Sequence, residues 1–270
     1  ILASMITFTG LLDDKYNLSV TTRFIIQIML FIIFFGYNLI DMTKNAYIFI
    51  LFVFISTYMI NIFNFMDGID LLATLQTIFT FAALQIILYN DISTIPNIIE
   101  IMNFTIITLA SFLLFNKSPA KIFLGNSGSY LLGFLIISVF YLIITNNSFH
   151  LIPVLIIFTV FLCDSTYTLI ARFINQFRSD NSFLYKKFTK SVKILSRPHK
   201  THLYQKLAQK YECHGKVNLH IMSYNLVWCF PLASFSYNFE EYAFYLLIIS
   251  YIPYILWCYS MKAGVATDYD

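Results

Sequence analysis

Residues 47–70 read YIFILFVFISTYMINIFNFMDGID. The part from 47 to 63 carries no charged side chain, and a helix of this length rises about 25 Å. Because the hydrocarbon core of a bilayer is roughly 30 Å thick, this run predicts a transmembrane helix. Asn64, Asp67 and Asp70 follow it directly, so polar side chains gather at one end of the predicted span.

The same kind of apolar run recurs along the whole chain. Seven further runs are long enough to span, at 23–40, 70–89, 98–115, 129–145, 149–171, 218–236 and 241–261. A shorter piece at 1–12 is interpreted as a span that is truncated at its N-terminal side. We therefore predict an all-α fold, a polytopic helical bundle of about eight full spans plus a truncated first one, in a single transmembrane domain over 1–270.

The composition excludes several classes of protein. Of the 270 residues, 11% are charged and 59% are hydrophobic, whereas soluble domains are about 25% charged and 45–50% apolar. A soluble enzyme, a nucleic-acid-binding protein and a disordered chain are excluded on this ground. The four cysteines form no C-x-x-C pair, so neither a disulfide framework nor a zinc site is indicated.

The distribution of basic residues predicts the orientation. If the spans alternate, 16 of the 17 Lys and Arg residues lie in or beside segments on one side, and Lys44 alone lies on the other. The positive-inside rule makes the basic side cytoplasmic. Its largest segment, 172–217, is predicted to be a basic cytoplasmic loop with eleven Lys and Arg residues. Such a loop could also serve only to set topology and to attract anionic lipid headgroups.

Carboxylates beside apolar spans are the first functional signal, because a buried charge is costly unless it is paired, metal-bound or facing water. Asp13 and Asp14 are adjacent, which suits a divalent metal or a raised pKa, although a helix cap is the more frequent reason for such a pair. Asn64, Asp67 and Asp70 are spaced three apart, so on a helix they would line one wedge. For this second group a functional interpretation is favoured.

Two further segments carry groups that suit phosphate. Residues 116–129, NKSPAKIFLGNSGS, combine Lys121 with glycines ahead of a predicted helix, where backbone N–H groups can face an anion. Residues 197–202, RPHKTH, hold two histidines and two cations, and we interpret Arg197, His199 and Lys200 as a phosphate clamp. Carboxylates, cations and glycines thus meet on one membrane face, which predicts metal-assisted chemistry on a phosphorylated substrate. A transporter would place its polar site near the midplane instead.

The series of motifs resembles the polyprenyl-phosphate N-acetylhexosamine-1-phosphate transferases of glycosyltransferase family 4, which include phospho-MurNAc-pentapeptide translocase. The resemblance covers most of the chain and rests on five segments in the family's order. They are LLDDKYNLSVTTRFIIQ, NIFNFMDGIDLLA, FNKSPAKIFLGNSGSYLLGF, FLCDSTYTLIARF and RPHKTHLYQKL. The last segment is similar to the branch that initiates O-antigen synthesis.

The resemblance implies a reaction and its partners. A polyprenyl phosphate such as undecaprenyl phosphate would attack the β-phosphate of a UDP-N-acetylhexosamine and release UMP, with Mg²⁺, or Mn²⁺ in its place, as the cofactor. The product would initiate a cell-surface polysaccharide. The family implies a multi-pass protein of the bacterial inner membrane whose active site faces the cytoplasm, partnered by the lipid bilayer and not by nucleic acid. It leaves homodimer formation open.

The resemblance also implies a role for each matching position. Asp13 and Asp14 would handle the lipid phosphate, and Asp67 would lie near the metal and the diphosphate, with Asn64 in the substrate site. Asp70, Asn116 and Phe123 fall where the family holds uracil. Lys121, His199, Lys200 and His202 would neutralise phosphate charge, His202 being counted with the catalytic residues. Asp164 occupies the family's acidic position on the following span.

Two positions depart from the family pattern. Asn126 stands where the family has Asp in its G-D-x-G-S element, and Mg²⁺ prefers a carboxylate to an amide oxygen. We still expect Asn126, with Asp67, at the metal, and a covalent intermediate at 126 is excluded. Leu71 stands where the family usually has Gly. The alternative hypothesis is a non-catalytic membrane paralogue that binds nucleotide-sugar or lipid phosphate, and a transporter is a third.

Overall fold

The computed structural model describes residues 1–38, 46–93, 95, 97–146, 151–179, 183–195, 197 and 199–266. Within them it contains α-helices, one π-helical turn at Asn225–Cys229, one 3₁₀ turn at Glu240–Tyr242 and no strand. The helices are α1 (Leu2–Tyr16), α2 (Val20–Asn38), α3 (Ala46–Met66), α4 (Leu72–Ile92), α5 (Ile98–Asn116), α6 (Gly125–Asn146), α7 (Leu151–Ile157), α8 (Thr159–Ser179), α9 (Leu184–Leu195), α10 (Leu203–Tyr211), α11 (His214–Tyr224), α12 (Phe230–Asn238) and α13 (Ala243–Ser260). The predicted all-α fold is confirmed.

Several helices are long and apolar enough to cross a bilayer. Among the described residues five qualify: α3, α4, α5, α6 and the stretch Glu240–Ser260 that contains α13. The pair α7 and α8 counts as a sixth if it is one bent span. Two of the eight predicted spans differ from the helices of the structure. For the run 23–40, the apolar part of α2 is the shorter Val20–Gly36. The run 218–236 is divided among α11, the π turn and α12. The molecule is a multi-pass membrane protein.

The surface of these helices is apolar, as lipid contact requires. On α5 the side chains of Phe104, Ile107 and Leu114 are largely exposed. A soluble protein rarely exposes contiguous apolar surface on this scale, whereas in a bilayer the same side chains face hydrocarbon. Lys44, which we predicted to lie alone on the far side, is outside the described residues.

The break between α7 and α8 is stabilised by buried amides. The two helices meet at an angle of 73°, and such a bend frees backbone carbonyl groups that lipid cannot satisfy. Gln76 Nε2 donates to the carbonyl oxygen of Ile157 at 3.4 Å. Asn225 Nδ2 donates to Gln76 Oε1 at 2.7 Å, from the π turn. The bend and the π turn therefore share one hydrogen-bond network inside the bundle.

The helix ends at one side of the bundle converge. The C-terminus of α1 packs against the N-terminus of α6, where a Cβ on Gly10 would lie 2.4 Å from the Cα of Ser127. Only a glycine allows these two backbones to approach so closely. The predicted basic loop 172–217 is largely helical in its described part, because it contains the end of α8, α9, α10 and the start of α11.

Candidate active site

A polar cleft of about 440 Å³ lies where these helix ends meet. It is formed by the end of α1, the end of α3 with the turn after it, the end of α5, the start of α6 and the start of α11. Its lining residues are Asp14, Asn64, Asp67, Gly68, Ile69, Asp70, Asn116, Phe123, Leu124, Gly125, Asn126 and His214. Seven of the residues predicted from the sequence are therefore together in one cavity: Asp14, Asn64, Asp67, Asp70, Asn116, Phe123 and Asn126.

The adjacent pair Asp13 and Asp14 is divided between two environments. Asp13 is buried behind the cleft, where its Oδ2 accepts from Arg23 Nη1 at 3.1 Å and from the hydroxyl of Tyr130 at 2.8 Å. Asp14 lines the cleft, and its two oxygens accept from the backbone N–H groups of Asn126 and Ser127. Asp14 thus caps α6, while Asp13 forms an ion pair.

The turn after α3 brings the second predicted group into the cleft. The expectation that Asn64, Asp67 and Asp70 share one helical wedge is wrong in its local geometry, because α3 ends at Met66. All three still line the cleft, since the chain turns at Gly68. A Cβ at Gly68 would lie 2.1 Å from the hydroxyl oxygen of Tyr204, which donates to the carbonyl oxygen of Phe65 at 2.7 Å.

Asp67 is the most perturbed carboxyl group in the cleft. Burial, and after it the nearby charge of Asp14, raise its pKa to about 8. Asp67 therefore holds a proton at neutral pH unless a cation offsets the two effects. A positive charge placed beside Asp67 would favour its ionised form.

The predicted uracil-binding positions Asp70, Asn116 and Phe123 also line the cleft. Phe123 is an exposed aromatic ring at the rim, 72% accessible, which suits stacking on a planar base. Asn116 is buried, and its amide joins two loops: Oδ1 accepts from the backbone of Leu71 at 2.9 Å, and Nδ2 donates to the carbonyl oxygen of Ile122 at 2.9 Å. Lys121 is exposed and does not line the cleft.

His202 is held by a buried carboxylate next to the cleft. Asp164, fully buried, accepts from His202 Nδ1 at 3.1 Å and from the backbone N–H groups of Leu203 and Tyr204. A carboxylate at this place compensates the positive end of α10. The ring of His202 stacks near that of Phe65, at 6.2 Å between centroids.

The remaining predicted phosphate-binding residues are elsewhere. Arg197, His199 and Lys200 line a second pocket, between α8, the end of α9 and residues 264–266. This pocket shares no lining residue with the cleft. His199 is nevertheless in contact with His202, because their rings stack at 4.9 Å between centroids.

Sequence reasoning missed His214. It lines the cleft from α11, with Nδ1 at 3.1 Å from Asp70 Oδ2. Asn218, one turn further along α11, donates to the carbonyl oxygen of Asp70 at 2.8 Å. No motif marks this histidine, because it comes to Asp70 only through the packing of α11 against the turn after α3.

Comparison with known proteins places these residues in a family. The description "Glycosyl transferase family 4" matches residues 1–145, just over half of the chain. The chain belongs to glycosyl transferase family 4.

Relatives within this family are about 30% identical in sequence to this chain over the aligned residues. A phospho-N-acetylmuramoyl-pentapeptide-transferase of Nautilia profundicola is 31% identical over 166 residues, covering 47% of each chain. A Bacillus subtilis protein named "Probable undecaprenyl-phosphate N-acetylglucosaminyl 1-phosphate transferase" is 28% identical over 190 residues, 64% of this chain and 52% of the relative. The matched part spans about half the length of these curated relatives.

The residue expected to join Asp67 at the metal, Asn126, is an amide. Asn126 lines the cleft with Asp67 and Asp14. Among the described residues, no three His, Cys, Asp or Glu side chains are arranged to hold a metal by themselves. Mg²⁺ usually takes one or two carboxylates and completes its shell with water and substrate phosphates. The oxygen donors of this glycosyl transferase cleft fit that kind of incomplete protein site.

Proposed function

We propose that this protein transfers an N-acetylhexosamine-1-phosphate from a UDP-sugar to undecaprenyl phosphate and releases UMP, the first step of a cell-surface polysaccharide. The observation that carries the proposal is the cleft itself. It combines Asp14, Asp67 and Asp70 with the exposed ring of Phe123, at one end of apolar helices. Family membership and the names of the relatives support the same reaction class.

The cleft divides into a nucleotide side and a phosphate side. On the nucleotide side the ring of Phe123 would stack on uracil, and Asp70, positioned by His214, would accept a hydrogen bond from the base. Asn116 would act by holding the loops of Leu71 and Ile122 together, because both ends of its amide are already engaged. Asn64 would contact the substrate beside Asp67.

On the phosphate side, Asp67 and Asn126 would hold Mg²⁺, or Mn²⁺ in its place, and the bound ion would neutralise charge on the diphosphate. Asp14 would face the incoming lipid phosphate and orient it. Because residue 126 is an amide and cannot form a covalent intermediate, a lipid-phosphate oxygen would bond directly to the β-phosphorus of the UDP-sugar. The bond from that phosphorus to the bridging oxygen of UMP would break, and UMP would leave.

The same proposal covers location and partners. The cleft would face the cytoplasm from the bacterial inner membrane, because the sequence predicts its loops on the basic side of the bundle. The ligands would be a UDP-N-acetylhexosamine, undecaprenyl phosphate and the surrounding bilayer, and a homodimer is compatible with this arrangement. Lys121, on the exposed rim, would act on approaching anions through its charge alone.

A direct assay tests the proposal. Membranes that contain the protein would be incubated with undecaprenyl phosphate, Mg²⁺ and a panel of radiolabelled UDP-N-acetylhexosamines. A labelled lipid that forms with one sugar and disappears in Asp67→Asn is the expected result. Product formation that is unaffected by Asp67→Asn would show that the metal is held elsewhere.

The second candidate function, a non-catalytic binding protein, is favoured only by Asn126. Asn126→Asp separates the two candidates, because it adds a charged ligand beside Asp67. In an active enzyme this change should lower the Mg²⁺ concentration required for product formation. If the parent forms no product with any sugar while Asn126→Asp does, the amide at position 126 is what makes the protein inactive.

A further inference from the structure

Helix α9 carries apolar and basic side chains on different sides. Four exposed apolar side chains fall within an arc of about 100° around the helix axis, and we call them the apolar arc: Leu184, Tyr185, Phe188 and Val192. Three exposed lysines are centred on the opposite side: Lys186, Lys190 and Lys193. Within the apolar arc Leu184 is 73% exposed and Tyr185 is 78% exposed, so the protein itself leaves this surface uncovered.

A third side of α9 packs on α8 and fixes the direction of the other two. The rings of Phe173 and Phe188 meet edge to face at 5.8 Å between centroids. Lys187 Nζ lies 4.7 Å from the ring centre of Phe177, and Ser191 is fully buried. Because these contacts hold α9 on α8, the helix cannot turn the apolar arc inward.

The hairpin of α8 and α9 lies at the end of the bundle that carries the cleft. Asp164 on α8 accepts from the backbone N–H of Tyr204, whose hydroxyl donates to a backbone carbonyl at the end of α3. From Asp164, α8 continues to Ser179, about 22 Å further. Ile170 and Ile174 are exposed on this part. Since α7 and α8 meet at 73°, the two helices cannot both follow the membrane normal.

The charge of α9 indicates what covers the apolar arc. The helix contains four lysines and no acidic residue. A second copy of the same helix would bring like charges together, which disfavours self-association. The surface of an anionic leaflet is complementary, because acyl chains accept the apolar side chains while lysines are attracted to the negative headgroups.

We propose that α9 is an in-plane membrane anchor of the leaflet beside the cleft. The apolar arc inserts among the acyl chains, and the lysines contact anionic headgroups. The partner is the leaflet as a surface, so the proposal involves no pocket and no single bound lipid. It does not depend on the transferase reaction, and an inactive protein would show the same anchoring.

Labels at two adjacent positions test the proposal. The exposed Cys213 is replaced by Ser, the other three cysteines being buried, and Tyr185→Cys or Lys186→Cys then carries one fluorescent label. The protein is placed in lipid nanodiscs of phosphatidylcholine, with and without phosphatidylglycerol. With phosphatidylglycerol, we expect nitroxide-labelled acyl chains to quench the label at 185. Acrylamide, a neutral quencher in the water, should quench the label at 186.

A lysine variant tests the role of charge. In the protein labelled through Tyr185→Cys, Lys186→Gln should lower the ratio of lipid-inserted to water-exposed label about fivefold in the anionic discs, the worth of one lysine near such a surface. Lys216→Gln, at an exposed lysine of α11, is the matched control and should leave the ratio unchanged.

Three results would overturn the proposal. Equal quenching of both labels by acrylamide would place α9 in water. Protection of position 185 from both quenchers would show that protein, such as a second copy, covers the apolar arc. Insertion of position 185 to the same extent with and without phosphatidylglycerol, unchanged by Lys186→Gln, would show that anionic lipid is not the partner.

Discussion

Asp14 Oδ1 accepts a hydrogen bond from the backbone N–H of Asn126 at 3.0 Å, so the end of α1 caps the helix on which Asn126 lies. Its second oxygen accepts from the next N–H, that of Ser127, at 3.2 Å. The close approach at Gly10 makes this contact possible. The carboxylate of Asp14 therefore caps α6 and lines the cleft at the same time.

Asp14→Asn should lower stability by about 1 kcal/mol, because it removes the negative charge at the N-terminus of α6 and retains one acceptor oxygen. Thermal unfolding in detergent measures the change. Lys15→Gln, at the exposed neighbouring position, is the matched control and should have little effect. If Asp14→Asn is as stable as the parent, Asp14 contributes no capping energy.

Gly68→Ala should destabilise the protein by about 1–3 kcal/mol, the usual cost of overpacking. The new Cβ would lie 2.1 Å from the hydroxyl oxygen of Tyr204. Tyr204→Phe in the Gly68→Ala background should recover part of the loss, although it gives up the hydrogen bond to Phe65. A double-mutant cycle tests this, and additive effects of the two changes would contradict the contact.

The sequence predicts the helices and most of the cleft, because both depend on local patterns. Apolar runs mark α3 to α6, and the polar residues that interrupt them at one end, such as Asp67 and Asn116, come together once the helices pack. His214 and Arg23 could not be predicted in the same way. His214 meets Asp70 through tertiary packing, and Arg23 meets Asp13 across the break between α1 and α2. No rule of sequence spacing predicts either contact.

The separation of Asp13 from Asp14 illustrates the same limit. Adjacent residues on a helix differ in direction by about 100°, so one carboxylate can face the cleft while the other faces the bundle. The sequence shows two neighbouring charges and does not show that Tyr130 and Arg23 bind one of them. The bend between α7 and α8 is likewise not shown by the sequence, because the apolar run 149–171 continues through it.

Leu71→Gly should stabilise the protein by about 1 kcal/mol. Leu71 has φ 71° and ψ −20°, a left-handed conformation that is strained for a bulky side chain and free for glycine. The gain is reduced by the greater freedom of glycine in the unfolded chain. Leu71→Ala is the control, since it shortens the side chain without relieving the backbone, and it should not stabilise. A loss of stability in Leu71→Gly would mean that packing of the leucine outweighs the strain.

The raised pKa of Asp67 predicts how stability depends on pH. The folded protein holds the Asp67 proton up to a pKa of about 8, whereas an unfolded aspartate releases it near a pKa of about 3.9. Between these values the folded state binds more protons than the unfolded state, so this group's contribution to stability is full below about pH 4 and is lost as the pH rises towards 8.

Asp67→Asn removes this dependence, because an amide does not titrate. We expect the stability of Asp67→Asn to match that of the parent near pH 4 and to exceed it increasingly towards pH 8, by at most about 1.4 kcal/mol for each pH unit. Thermal unfolding in detergent without divalent cations measures the difference, with Glu241→Gln as a control at an exposed acid. Mg²⁺ added at pH 8 should narrow this difference in stability, since a cation beside Asp67 favours its ionised carboxylate. A constant difference between parent and Asp67→Asn from pH 4 to pH 8 would show that Asp67 is ionised throughout, and that the burial and the charge of Asp14 are offset within the folded protein itself.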